Sequence, residues 1–416
     1  MIPHLLYIDP GTGSMLFSIL IGAAATLYFL ARTFLIKLKV ILSGGVSARN
    51  KTAYPCVVYS EGAQYWNVFK PILDEFEKRR IPLVYYTSSK NDPVFSRGYS
   101  CVKSEFIGEG NMAFARLNFL SAELLLMTTP GLDVYQLKRS KNVGHYAHIL
   151  HMPGDSATYR LFSLDYFDSV LLTGDYQADD IRFLEALRHT KRKELVTVGC
   201  SYLDVYVEKI KGLYSSTPGP EEKKFTVLVS PSWGPSGLLQ RYGEKLLDPL
   251  VKTGKNVIIR PHPQSKKSES GMLDRLTGLY RDCPSVEWDF EAENIRSLSR
   301  SDIMISDFSG IIFDYLFLCD KPVIYAGADM DLRPYDASDL GHELWQVKTL
   351  REIGIELKED DFPNIGKIMD GASESASLKE ARQRAKQTAW QYPGEAGKRA
   401  ADFMISKLVD TNGKNG

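Results

Sequence analysis

The sequence predicts two successive parallel α/β domains behind an N-terminal membrane-spanning helix. Three observations carry that expectation. The run Met15 to Ala31, "MLFSILIGAAATLYFLA", is uncharged and mostly apolar. From Tyr54 onward, short apolar runs alternate with amphipathic segments of helical period, the signature of a doubly wound parallel sheet. Near Gly212 the composition turns Ser/Pro/Gly-rich, "GLYSSTPGPEEKK", and the strand-helix pattern then restarts, as at an interdomain connector. A chain of 416 residues, 44% apolar, is also too long for one ordinary core and rich enough to build two.

Charge and cysteine usage narrow the function classes. Lys+Arg and Asp+Glu number 51 each, so the whole molecule carries no polyanion-binding signature and nucleic acid is not an expected partner. Five cysteines (Cys56, Cys101, Cys200, Cys283, Cys319) are scattered without CxxC spacing. That argues against a disulfide framework or a zinc site and for a reducing compartment.

The elements follow in order. Residues 1–14 are expected outside the membrane, with "YIDPGTGS" turning at Asp9-Pro10-Gly11 into a Thr12 or Ser14 helix cap. Residues 15–36 are long enough to cross a bilayer at 1.5 Å per residue. Positive charges come only afterwards, at Arg32, Lys37, Lys39, Arg49 and Lys51. The positive-inside rule therefore puts the basic segment 37–53 and everything beyond it in the cytoplasm of a bacterial cell, as a single-pass protein of the plasma membrane.

The first domain is expected over 54–211. Its strands are "CVVYS", "PLVYYTS", "ELLLMTTPG", "YAHILH" and "SVLLTG", with a helix over Gln64–Arg80 and another over Asp179–Leu187; His145 is read as a loop residue. The connector spans 212–224 and the second domain 225–372, with strands "FTVLVSPSW", "NVIIRPHP" and "SVEWD". Ile295–Gly327 then reads helix, strand, turn, helix, strand, and 373–416 is mostly helical. Two Rossmann-like domains with a cleft between them suit a glycosyltransferase-B type arrangement, although other two-domain α/β enzymes share the pattern.

The chemistry is expected at strand ends. In "DIMISDFSGIIFDY" a buried strand ends at Ser306, Asp307-Phe308-Ser309-Gly310 turns, and a helix begins near Ile311. The free N–H groups of such a helix end attract anions, and open α/β sheets bind ligands at this edge. Ser306, Ser309 and the backbone at Gly310 are candidate donors to a diphosphate, and Asp314 a candidate acceptor from ribose hydroxyls; on this stretch alone a Ser/Asp helix cap with no ligand is the favoured reading. In "VIIRPHPQSK", His262 sits between prolines that stiffen the loop, and Arg260 beside it is a candidate phosphate partner. "YAHILHMPGDS" repeats the arrangement with His151 at a strand end, while His148 points into packing. Two imidazoles facing across a ligand suit transfer chemistry, one as base on a hydroxyl and one near a leaving phosphate. "DMD" at Asp329–Asp331 resembles a metal-binding triplet, but such triplets are common, and neither metal nor cofactor is expected. No P-loop, GxSxG or HExxH occurs.

"RPHP" followed by "SDFSGIIFDYLFLCDKPVIYAG" resembles the CDP-glycerol:poly(glycerophosphate) glycerophosphotransferases of bacterial wall and surface polymer synthesis. The resemblance is good over Val257–Gly327, is weak but collinear from Tyr54, and does not reach the apolar N-terminal segment. It implies a glycosyltransferase-B fold with catalytic His151 and His262, one per domain. It also implies a CDP-linked polyol donor at Arg260, Ser306, Asp307, Ser309, Gly310 and Asp314, and a lipid-linked or polymeric hydroxyl acceptor. Some positions depart from the family pattern. Met152-Pro153-Gly154 follow His151 in place of Gly-Thr, the following lysine is missing with Arg160 further on, and "VSPSWGPSG" lacks the family's arginine. The rival readings are a sugar transferase of the same fold and a non-catalytic binding module at the membrane.

Overall fold

A computed structural model describes residues 54–215, 224–291, 293–327 and 331–412, together with part of 21–35. Half of the expected span 15–36 lies outside the described residues, as do all of the expected N-terminus 1–14 and the basic segment 37–53. Among the described residues no helix is long and apolar enough to cross a membrane.

Two parallel sheets organise the chain. The first has seven strands in the order β3-β2-β1-β4-β5-β6-β7. They are β1 (Tyr54–Ser60), β2 (Leu83–Thr87), β3 (Val102–Phe106), β4 (Ser121–Met127), β5 (Asn142–Ile149), β6 (Ser169–Leu172) and β7 (Glu194–Thr197). The second has six in the order β10-β9-β8-β11-β12-β13. These are β8 (Thr226–Val229), β9 (Asn256–Ile259), β10 (Val286–Trp288), β11 (Ile303–Ser306), β12 (Val323–Tyr325) and β13 (Gly354–Glu356). Every strand pairing within them is parallel. Strand order reverses beside β1 in one sheet and beside β8 in the other, which creates a crevice at the carboxyl edge of each.

The interior strands β2, β6, β8, β11 and β12 are buried along their whole length, as for "TVLV" at β8 and "IMIS" at β11, because helices cover both faces of a parallel sheet. The strands that the apolar pattern misses, β3, β7 and β13, all lie at sheet edges. Their partial exposure, as in "VKSEF", removes the continuous apolar run that marks the others. His145 lies inside β5 and not in a loop: its Nε2 is 2.9 Å from Ser169 Oγ on the neighbouring strand. His148 is fully buried edge-on to Phe167 and Tyr159.

The chain end returns to the first domain. The helix Ala396–Asn412 packs on the helix Trp66–Arg79, and Ala400, Ala401, Phe403 and Met404 join the core formed by β1, β2 and β4. Gly397 permits the approach: a Cβ there would stand 2.5 Å from Pro71 Cβ. On another side, the segment after β12 reaches the first domain. Asp336 N–H donates to Tyr159 O at 2.9 Å and Leu161 N–H to Pro334 O at 3.2 Å. Arg188, nearly buried, pairs with Asp165 at 3.0 Å and with Asp336 and Asp339 at 2.7 Å each.

Candidate active site

A cleft of about 260 Å³ opens where the carboxyl edges of the two sheets meet. Its walls come from the turn after β1 (Gln64, Tyr65, Asn67), the loop after β5 (His151 to Gly154), the helix after β7 (Tyr202, Tyr206) and the turn after β11 (Gly310, Phe313, Asp314). These four walls follow strand ends, because the parallel sheets direct every carboxyl edge the same way, and Gln346 from the helix Trp345–Ile353 completes the lining.

His151 is placed here by β5 and held from behind. Its Nδ1 lies 2.8 Å from Thr128 Oγ1 and 3.1 Å from the Tyr159 hydroxyl. Thr128 has a single hydroxyl hydrogen, and it goes to the Ile149 carbonyl at 2.8 Å. Towards the imidazole Thr128 is therefore an acceptor, so Nδ1 carries the ring proton and Nε2 keeps the lone pair. Burial beside Tyr65 and Tyr159 pushes the imidazole down to about 4, because charge would be poorly solvated there. A neutral imidazole with a free Nε2 is a base.

His262 has the opposite arrangement. The Gln264 N–H donates to its Nδ1 at 3.1 Å, which leaves Nε2 as the N–H donor of the neutral ring. Its ring lies 6.4 Å from that of Trp233, and partial burial lowers its pKa from the ordinary value. Trp233, half exposed at 49%, projects beside a second depression bounded by Gly234, Glu269 and Ser270. His262 is not part of the His151 cleft lining.

The candidate donor residues divide into two groups. Gly310 and Asp314 reach the cleft. Asp314 accepts a short hydrogen bond from the Tyr202 hydroxyl, yet burial raises its carboxyl to about 7. Asp307, fully buried, accepts from the backbone N–H groups of Ser232 (3.0 Å), Leu238 (2.9 Å) and Ser309 (3.1 Å). It is the clasp of two loops. Ser306 Oγ donates to the Ser230 carbonyl at 2.6 Å and is equally internal. Arg260 is buried, with one Nη 2.5 Å from Asp289 and the other donating to the Glu291 carbonyl. Ser309 is partly buried in the turn itself. Of the Asp-x-Asp triplet, Asp329 lies outside the described residues and Asp331 pairs with Arg333 at 2.7 Å. Among the described residues no group of three or more His, Cys, Asp or Glu side chains is placed to hold a metal.

Sequence reasoning missed Tyr65, Asn67, Tyr202 and Tyr206. A signal for two of them existed: Tyr202 and Tyr206 stand four apart at the start of a helix following β7, so they share the face that meets the cleft. It missed Asp155 as well. That carboxylate, on the His151 loop, caps the helix Trp345–Ile353 of the other domain through Trp345 N–H (3.1 Å) and Gln346 N–H (2.7 Å). Burial raises it to about 7.

Two parallel Rossmann-like sheets meeting at their carboxyl edges define a two-domain α/β protein of glycosyltransferase-B type. Solved structures of that kind cover nearly all of it. The wall teichoic acid polymerase TagF superimposes with a TM-score of 0.57 at 14% identity, over 91% of this chain and 98% of that chain. The UDP-GlcNAc 2-epimerase of Methanocaldococcus jannaschii gives 0.52 at 12%, over 85% and 99%. The UDP-GlcNAc 2-epimerase of Neisseria meningitidis, bound to UDP-GlcNAc, gives 0.51 at 12%, over 86% and 100%. No curated protein matches the sequence. Residues 171–340 match the family model described as CDP-Glycerol:Poly(glycerophosphate) glycerophosphotransferase. The family resemblance carried by the His262 and Ser306–Gly327 segments thus holds over residues 171–340, where the chain is similar to the CDP-glycerol glycerophosphotransferases.

Proposed function

We propose that the enzyme moves glycerol phosphate, or a similar polyol phosphate, from a CDP-linked donor to a hydroxyl of a cell-surface polymer precursor, releasing CMP. In this reading His151 Nε2 takes the acceptor hydroxyl proton as the oxygen attacks phosphorus. The new P–O bond forms while the bond to the CMP phosphate breaks. His262, from the second domain, donates its Nε2–H to the donor phosphates. The observation that carries the reading is the opposite tautomers of the two rings, one set as base and one as donor. His151 stays neutral at physiological pH because its pKa is near 4.

The membrane belongs to the same reading. The described residues within 21–35 are helical and all exposed, with Ile21, Leu27, Tyr28, Leu30, Phe34 and Leu35 among them. An exposed apolar helix before a basic segment supports a single-pass anchor in the bacterial plasma membrane, with the catalytic domains cytoplasmic. An anchor would hold the site beside a lipid-linked acceptor and raise its effective concentration.

The test is CMP release from CDP-glycerol by the purified full-length enzyme with native membranes. Release that is lost in His151→Ala and in His262→Ala supports the reading. Turnover of a UDP-sugar with none of CDP-glycerol or CDP-ribitol replaces it with sugar transfer on the same fold.

A further inference from the structure

The helix Trp345–Ile353 of the second domain begins without a cap of its own. Its N-cap residue is Leu344, whose side chain makes no hydrogen bond to the first turn and packs instead with Ala157 and Ala337. The first N–H groups of a helix have no partner inside it, and an apolar N-cap leaves them to water or to another segment. Here that segment is the loop of the first domain that carries His151. Asp155, four residues after His151 and 1% exposed, takes Trp345 N–H on one carboxylate oxygen and Gln346 N–H on the other. The contact is returned, since Asp155 N–H donates to Gln346 Oε1 at 3.4 Å.

The His151 loop is thereby gripped from both domains. On its own side, Gln177 Nε2 donates to the Gly154 carbonyl at 2.6 Å while Gln177 Oε1 accepts from Thr173 N–H at 2.9 Å. On the other side, the two helix residues that Asp155 holds also shape the cleft. Gln346 lines it directly. The Trp345 ring lies 4.4 Å from that of Tyr176 in the first domain and 5.5 Å from that of Phe313, a lining residue of the second. Asp155 itself does not line the cleft. Only Met152, Pro153 and Gly154 separate it from His151, and a shift of about 1 Å at a reacting group can cost on the order of a hundredfold in rate.

We infer that Asp155 is a positioning residue: it ties the loop that carries His151 to the second domain, so that the base is aimed only when the two domains are in register. This rests on the transferase reading above, in which His151 is the base.

The test is a double-mutant cycle in the full-length enzyme, read as CMP release from CDP-glycerol with native membranes. Asp155→Ala should lower kcat about tenfold to a hundredfold and leave KM for CDP-glycerol within about twofold, because the carboxylate lies outside the cleft lining. Asp155→Asn keeps one acceptor oxygen and should recover part of the loss; it also covers the event that the alanine variant fails to fold. In a His151→Ala background either substitution should change kcat by less than about twofold, because a group that acts through the imidazole then has nothing to aim. A full further loss in that background, a raised KM with kcat intact, or wild-type kinetics in both Asp155 variants overturns the inference and leaves the transferase reading standing. Histidine NMR separates the two claims. In enzyme carrying isotope-labelled histidine, the His151 ring signals are assigned by their loss in His151→Ala, and they should shift or broaden in Asp155→Ala. If no CDP donor turns over, that change keeps the tie and sinks the transferase reading. An unchanged His151 spectrum overturns the inference whether or not the enzyme turns over.

Discussion

His151 and His262 each lie two or three residues beyond a strand and within two residues of a following proline, yet the fold treats them differently. His151 is enclosed by Tyr65, Tyr159 and Thr128 and pushed down to about 4. His262 stays partly open beside Trp233, its Nδ1 held only by an amide two residues along. One ring is oriented by side chains 8 and 23 residues away in sequence, and the other by its own turn. A strand-end histidine motif therefore specifies position, while the surrounding shell specifies proton chemistry.

The sharpest way to break that contrast is to delete each ring. His151→Ala and His262→Ala should each lower CMP release by about 10²–10⁴-fold, measured as kcat/KM on CDP-glycerol. If only one matters, the paired roles are wrong. The buried groups around His262 should respond in stability. Arg260→Ala strands Asp289 and should cost about 3–5 kcal/mol in urea unfolding. Asp307→Ala orphans the N–H groups of Ser232, Leu238 and Ser309 and should cost about 3 kcal/mol. Unchanged stability with lost donor affinity would instead make either residue a direct ligand.

Acid sharpens the comparison further. An ordinary imidazole loses its base form near pH 6.5. Because His151 is depressed to about 4, its base form is present above that value and is lost only as pH falls through it. Activity should thus show no acid limb from the base between pH 7 and pH 5, as read from kcat/KM profiles. A limb near 6.5 that moves in a His151 variant would refute the enclosed, neutral ring. The smallest effect is expected at Thr128. Thr128→Val removes the acceptor that fixes Nδ1–H and should lower kcat about tenfold with little change in KM, and Thr128→Ser should restore it.

Much of the architecture was legible because its signals are local. Interior strands such as "TVLV" and "IMIS" are continuous apolar runs, and the "SDFSG" turn is written in its own residues. The partners of Arg260, Ser306 and Asp307 were not legible. Asp289 lies 29 residues beyond Arg260, and Ser230 lies 76 before Ser306. A short polar residue at a strand end reads the same whether it faces a ligand or closes a loop. The Asp155 cap on the Trp345–Ile353 helix joins groups about 190 residues apart and leaves no local pattern at all.

The return of the Ala396–Asn412 helix to the first domain bears on how the protein is made. Ala400, Ala401, Phe403 and Met404 complete the apolar layer over β1, β2 and β4, which leave the ribosome more than 250 residues earlier. Synthesis at about 5–20 residues per second exposes that layer for more than ten seconds before its cover exists. For that interval the first domain's core carries only the cover supplied by its own earlier helices, Trp66–Arg79 among them. A stop codon a few residues before Ala396 would leave the earliest part of the molecule unfinished, although all seven of its strands had been translated.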